Sequence, residues 1–410
     1  MYPQVLRAVV LTAVLLPAFA QTAPLTLDHA LDMAVQRSAT ARSARSGAQS
    51  AAESALAAGQ LPDPTLQVGV DNLPVTGSGA FRTTSDSMTM KRIGVSQEWL
   101  SAQKREARTA AAAAVADREG VQVHAAAAET RLQAALAYLD AFYATETLKL
   151  TTLMEHHAHE ELEASKARLS SASGSGQEVL ALTSARGMAE DESDDVRQQQ
   201  AEAAVALQRW VGIRADELAT PRLPSLPGQD AYVASHPQVA AARFDVDVAK
   251  RAVTVAESER TPNWTWQVSY GQRTGYSDMV SFGVSIPLQV APAQRQDRET
   301  ASKLALVDKA EAELAEASRM ATAEYLALMS DVERLGQRVD RYQVSVVIPA
   351  GQRVQLATAG YASNQVSLLT LFEARHAEVD ARRKLLSLQR DLAKAQAKLA
   401  FKPLSDGGEQ

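Results

Sequence analysis

Apolar and polar residues alternate strictly over 264–271. Trp264, Trp266, Val268 and Tyr270 fall on one side, and Thr265, Gln267, Ser269 and Gly271 on the other. A period of two places successive side chains on opposite faces of a strand, so this segment predicts a strand with one apolar face. The alternation returns where Val280, Phe282, Val284, Ile286 and Leu288 oppose Ser281, Gly283 and Ser285. Earlier in the chain, Leu66, Val68 and Val70 oppose Thr65, Gln67 and Gly69. A fourth segment, 88–98, changes parity between Met88/Met90 and Ile93/Val95, which predicts a bulge near Lys91-Arg92. The intervening chain reads as helix. No proline occurs between Pro74 and Pro221, and residues 101–169 predict one helix of roughly 100 Å at 1.5 Å per residue. Residues 296–348 predict a second long helix, kinked or ended by Pro349 and Gly351. Both are rich in alanine and charge and poor in large apolar groups, a composition suited to thin coiled-coil walls.

These elements occur twice. "LPDPTLQVGV" (61–70) and "TPNWTWQVSY" (261–270) carry the same Thr-x-Gln-Val at the same distance from Pro62 and Pro262. Ile93-Gly94-Val95-Ser96 matches Phe282-Gly283-Val284-Ser285 at a spacing of 189. At that spacing Val179–Leu182 also matches Leu368–Leu371, and Ala185-Arg186 matches Ala374-Arg375. The first copy carries 11 extra residues, placed in the loop "DNLPVTGSGAFRTTSDS" (71–87). A tandem duplication is expected: a first repeat over 21–220, a Pro-rich linker over 221–236, a second repeat over 237–401 and a disordered tail over 402–410. Each repeat runs helix (27–60 or 237–260), two strands, long helix, small-polar break, second helix. The strands are expected near 63–71, 88–99, 263–271 and 278–288. The fold class is therefore mainly α with a small β part.

Strands with one apolar face and one of Ser, Thr, Gln and Gly suit a barrel wall between lipid and water. An ordinary sheet over a core is the alternative. Trp264, Trp266, Tyr270 and Tyr276 cluster as an interfacial aromatic belt would. Four strands cannot close a barrel, which needs roughly eight, so several copies would contribute. Arg7, the apolar run 8–16 and Ala18-Phe19-Ala20 form a signal-peptide pattern over 1–20. No later stretch approaches the roughly 18 apolar residues of a spanning helix. The chain has no cysteine, which excludes disulfides, thiolate metal sites, a Cys nucleophile and a lipidated N-terminal Cys. Its formal charge of −6 leaves no footprint for nucleic acid.

"LPDPTLQVGV", "HPQVAAARFDVDVAKRAVTVAESERTPNWTWQVSYG" and the duplicated tips "ARLSSASGSGQEVLALTSAR" (167–186) and "YASNQVSLLTLFEAR" (361–375) resemble the outer-membrane factors of tripartite efflux, the TolC-like proteins. The resemblance spans essentially the whole mature chain. It implies a homotrimer whose 12 strands form one barrel through outer-membrane lipid, continued by a long α-helical barrel across the periplasm. It also implies two partners, a periplasmic adaptor (membrane fusion) protein and an inner-membrane pump. The family's tip pattern, Tyr-x-x-Gly followed by two acids, falls here on Tyr361, Asn364, Thr370 and Glu373, so the first acid is missing. Asn is the usual substitute for Gly at a left-handed helix end. Tyr361 and Glu373 become gate candidates. Ser173, Gly174, Gly176, Gln177 and Asn364 become adaptor-docking candidates, for which a solvated loop is the alternative. The segment "VDNLPVTGSGAF…MTMKRIGVSQEW" resembles the heavy-metal, CzcC/CusC-like branch, which implies metal-cation cargo. Drugs, other organic compounds or type I secretion are the alternatives.

"MEHHAHEELE" (154–163) places His156, His159 and Glu160 at helical spacing, a candidate surface metal site. A solvated charged face is the alternative, and the spacing is not the zinc-hydrolase His-Glu-x-x-His. There is no Gly-x-Ser-x-Gly elbow and no phosphate-cradling loop, so neither catalysis nor a cofactor is expected. From another class, a soluble periplasmic coiled-coil scaffold or adaptor would share the helices. It would then need core elements to cover the apolar strand faces.

Overall fold

The computed structural model describes residues 24–171 and 173–404. The leader pattern over 1–20 and tail residues 405–410 lie outside them. Four strands form one antiparallel sheet in chain order: β1 (Thr65–Asp71), β2 (Met90–Trp99), β3 (Trp264–Arg273) and β4 (Met279–Ser285). The central pairing, β2 with β3, joins the two repeats, running from Met90 opposite Arg273 to Trp99 opposite Trp264. Gly94 permits the close approach there, since a Cβ at this position would meet the Ser269 Cβ at 2.7 Å and the Val268 carbonyl at 2.9 Å.

The register corrects the expected bulge. β2 pairs without interruption from Met90 to Trp99, so Met90 lies on the polar face. It fits there because Gly271 has no side chain: a Cβ on Gly271 would collide with the Met90 Sδ. β4 also stops short of the expected 288. Pro287 has no N–H to give to a ladder, and pairing ends at Ser285.

The helices are α1 (Leu27–Arg37), α2 (Ala39–Ala58), α3 (Ala102–Ser170), α4 (Gly176–Val211), α5 (Gln229–Ala234), α6 (Pro237–Ser258), α7 (Gln296–Tyr342), α8 (Ile348–Ala362) and α9 (Leu368–Phe401). The 69 residues of α3 span roughly 100 Å at 1.5 Å each. Its buried Ala107, Ala114, Val121, Ala128 and Ala135 recur every seven residues, as do Val239, Val246 and Val253 on α6. A seven-residue repeat keeps one seam turned toward a neighbouring helix, and small residues let the backbones approach. Arg118 Nε donates to Asp245 Oδ1 at 3.0 Å, tying α3 to α6.

Four expectations change in detail. The segment 27–60 is two helices, because Ser38 leaves helical geometry to accept a hydrogen bond from the Ala41 N–H and to pair with the Thr130 hydroxyl. The Pro-rich linker contains α5, which carries Tyr232 to full burial beside Tyr325. At the tail, the Leu404 N–H donates to the Ser235 carbonyl at 2.8 Å. Pro349 does not end its rod. Five residues of π-helix, Gln343–Val347, connect α7 to α8 and supply the wider turn that a missing N–H and a crowded ring demand.

At the sheet's base the two repeats share a charged network. Lys104 is 1% exposed, and its Nζ donates to Glu259 Oε2 (2.8 Å) and Asn263 Oδ1 (2.7 Å). Arg108 adds a second bond to Glu259, and Asn263 donates to Glu98. Burial pushes the Glu259 carboxyl up, but Lys104 and Arg108 outweigh it and hold it below the usual range.

The largest buried cluster gathers Leu27, Leu31, Tyr138, Leu139, Leu207 and Val211 at mid-length. The Tyr138 hydroxyl lies 2.7 Å from both the Leu25 and the Ala219 carbonyls, pinning the start of the first repeat to its end. Tyr138→Phe should cost about 1 kcal/mol, because the Ala219 carbonyl loses this donor while the Leu25 carbonyl keeps the Ala219 N–H. Thermal unfolding of the detergent-solubilised protein checks this.

Candidate functional site

The paired strands place four side chains per row. One row on the apolar face is Leu66–Val95–Val268–Phe282, and the next is Val68–Ile93–Tyr270–Val280. All of these except the half-buried Val268 are exposed in the single chain: Val68 is 74% exposed and Phe282 80%. The opposite face carries Thr65–Ser96–Gln267–Gly283 and Gln67–Gly94–Ser269–Ser281. There Gln267 Nε2 donates to Gln67 Oε1 at 2.7 Å, and Gln67 Nε2 donates to Ser96 Oγ at 3.3 Å. Gln67 and Gln267 are the repeat-equivalent glutamines, so the duplicated motif closes on itself across the sheet.

The aromatic residues do not form a single cluster. Trp264 pairs with Trp99 at the helix end of the sheet, with ring centroids 6.0 Å apart. Tyr270 bonds to Asp278, and Tyr276 lies under Arg273, at the β3–β4 turn. Alternation carried both groups onto one list, but strand rise separates Trp264 from Tyr270 by about 20 Å. That separation is of the order of the roughly 25 Å apolar band of an outer-membrane barrel, which is flanked by aromatics at both ends.

At the far end of the helices the two hairpin turns lie side by side. In the first, Ser171 and Ser173 share a hydroxyl contact of 2.8 Å, and the Ser173 N–H donates to the Arg168 carbonyl. A Cβ on Gly174 would meet the Leu169 N at 2.9 Å, so glycine is required by space; Gly176 faces open space, and Gln177 is exposed. In the second turn Asn364 adopts φ 58°, the left-handed geometry expected of it. Two contacts absent from the sequence reading join the turns. Glu178 Oε1 accepts from the Leu368 N–H at 3.1 Å, capping α9 from α4, and the Arg168 guanidinium sits 5.9 Å from the Tyr361 ring centre. Tyr361 is half-buried against both tip clusters, whereas Glu373 is exposed on α9.

Behind the tips, Glu161 of α3 is 4% exposed and accepts from Arg375 Nη1 of α9 at 2.8 Å. Burial pushes its carboxyl up to about 7, against the pull of Arg375. Arg375 was visible in sequence only as the repeat mate of Arg186. The symmetry breaks here, since Arg186 pairs with Glu190 on its own helix. The expected metal set is also rearranged. His156 Nε2 lies 3.2 Å from Glu160 Oε1, and His157 Nδ1 lies 3.5 Å from Glu160 Oε2. His159 is exposed, and the charge it interacts with is Glu163, one turn further along α3. A separate trio, Glu192, His376 and Asp380, has its ligand atoms within 4.8 Å of one another. It joins α4 to α9 and could not be found from spacing along one helix.

No protein-family model matches the sequence, and no curated protein matches it. Solved structures do. The outer membrane protein VceC from Vibrio cholerae is 18% identical over 92% of this chain and 96% of its own, with a TM-score of 0.72. The Campylobacter jejuni CmeC outer membrane channel is 12% identical over 94% and 87%, with a TM-score of 0.76. CusC, described in terms of folding and transmembrane channel formation, is 14% identical over 92% of each chain, with a TM-score of 0.75. The fold is thus that of TolC-like outer-membrane factors, a long helical part continuing a small sheet, and the CmeC and CusC neighbours are described as channels.

The Glu161 geometry sets a pH dependence. A carboxyl raised from 4.5 to about 7 on folding keeps its proton where the unfolded chain has released it. Its stabilising contribution is complete below about 4.5 and is lost as pH rises through about 7. The melting temperature of the wild type should therefore fall relative to Glu161→Gln between about pH 5 and pH 8. Parallel melting curves for the two proteins would contradict the assignment.

Proposed function

We propose that this chain is one protomer of a passive outer-membrane export duct in a tripartite efflux system. The observation that carries this reading is the sheet with a solvent-exposed apolar face opposite a glutamine–serine face. Among the described residues no element covers the apolar rows, and lipid would. In this reading three copies pair the free edge of β4 with that of β1 in the next, giving 12 strands, the polar face lines the water-filled lumen, and the long helices continue the tube into the periplasm. The hairpin tips, with Ser173, Gly174, Gly176, Gln177 and Asn364, would dock a periplasmic adaptor. Tyr361 and Glu373 would border the gate. Adaptor binding selects the open arrangement, while energy comes from an inner-membrane pump. Heavy-metal cations are the proposed cargo, on the resemblance of the 70–99 segment to the metal branch.

The strand alternation provides the test. Phe282→Arg puts a charge on the lipid face and should cost about 2–4 kcal/mol near mid-membrane, removing the heat-modifiable oligomer from outer membranes. Ser281→Arg, one residue away on the lumen face, should keep the oligomer and change planar-bilayer conductance. Equal tolerance of both, with a soluble periplasmic protein, would instead support the scaffold reading. For the cargo, a deletion strain should become sensitive to zinc, copper or cobalt with unchanged drug tolerance; the reverse pattern would reassign it to organic compounds.

A further inference from the structure

We propose that Glu192, His376 and Asp380 form a binding site for a divalent transition-metal cation that clamps the first helical hairpin to the second. His376 and Asp380 stand one turn apart on α9, with Nε2 and Oδ2 separated by 3.5 Å, and Glu192 reaches across from α4. All three ligand atoms lie within 4.8 Å of one another. In a tetrahedral site, bonds of about 2.0–2.2 Å put any two ligands of one ion about 3.3–3.6 Å apart. His376 and Asp380 already stand at that separation, and a side-chain adjustment of up to about an ångström by Glu192 would close the site.

Two further observations single out this cluster. The His376 ring is stacked on Phe372, at 5.8 Å and 12°, which fixes its plane, and its Nδ1 is buried without a hydrogen-bond partner. Nε2 is therefore the nitrogen directed at the carboxylates. A cation already stands in the site, because the Arg383 guanidinium lies against Glu192 and is 3.6 Å from Asp380. The cluster thus holds a positive charge between the hairpins, and a metal ion would displace the arginine. The set on α3 lacks these features: His156, His157 and Glu160 all lie on one helix and bridge nothing.

The chemistry selects the ion. One imidazole and two carboxylates suit zinc, copper(II), nickel or cobalt, not magnesium or calcium. Three protein ligands leave a position open, and an Nδ1 without an outer partner leaves the ligand untuned. With Arg383 competing, the bound ion exchanges readily. Because α4 belongs to one hairpin and α9 to the other, occupancy favours the side-by-side tips seen here. The inference concerns a site on this chain and stands whatever the duct carries.

The experiment uses full-length protein in detergent, with a tag free of histidine and stripped with chelator. Cobalt(II) is titrated by visible absorbance, and zinc is counted by equilibrium dialysis. One saturable cobalt site per protomer is expected, displaced by zinc and untouched by magnesium or calcium. His376→Gln and Glu192→Gln should each weaken it at least roughly tenfold, the low end of what losing even an outer partner costs. Arg383→Gln should tighten it, an outcome that a purely structural ion pair does not produce. The proposal fails if the wild type shows no saturable binding or if Arg383→Gln weakens it. It fails equally if binding survives His376→Gln and Glu192→Gln but is lost in His156→Gln/His157→Gln. Should His376→Gln not fold, the Glu192 and Arg383 variants decide.

Discussion

A β-sheet with two free edges cannot rest in hydrocarbon, because every unpaired backbone N–H and C=O there costs several kcal/mol. In this protomer β1 and β4 are those edges, and the exposed rows from Leu66 to Phe282 are the face that hydrocarbon would cover. Neither demand can be met within one chain. On the proposed reading both are met together by closing the sheet with further copies. The polar face then becomes a lumen, and the helices that enter and leave the sheet must form a wall around the same axis. The ion network at Lys104, Glu259, Asn263 and Glu98 sits where strands become helices, and it draws residues from both repeats.

The duplication is used in two ways. In the sheet it is nearly symmetric: the equivalent glutamines Gln67 and Gln267 bond to each other. In the helices it is broken wherever one hairpin must hold the other. Arg375 crosses to Glu161 while Arg186 stays on its own helix, and Glu178 caps α9. The second rod also carries a π-turn before Pro349, whereas α3 runs uninterrupted. Contacts between the hairpins therefore combine these particular polar pairs with an apolar cluster in which Leu162 and Leu182 of the first hairpin meet Leu368 and Phe372 of the second. The polar pairs fix the register, and the apolar cluster supplies the burial.

The packing follows from composition. Seven-residue spacing of alanine on α3 and valine on α6 buries little area per turn. Large apolar groups concentrate at mid-length around Tyr138 and at the tips around Leu162, Leu182 and Phe372. Between these points Val347, Ala381 and Leu385 form a smaller apolar cluster, and Arg383 pairs with Glu192.

By itself the sequence determined the strands, the long helices, the duplication and the left-handed turn at Asn364. Each of these follows from local chemistry: a period of two, an unbroken proline-free run, a repeated motif, and the one residue besides glycine that commonly adopts that geometry. Two details differed for different reasons. Met90 keeps its register because Gly271, on another strand, is empty, whereas Trp264 and Tyr270 fall at opposite ends through strand rise alone. Only the tertiary structure placed Glu178 on α9, Glu161 against Arg375, and Glu192 beside His376 and Asp380. Those pairs come from different hairpins, so their meeting depends on how two rods of some 50 to 100 Å are aligned. No spacing along a single helix encodes that alignment.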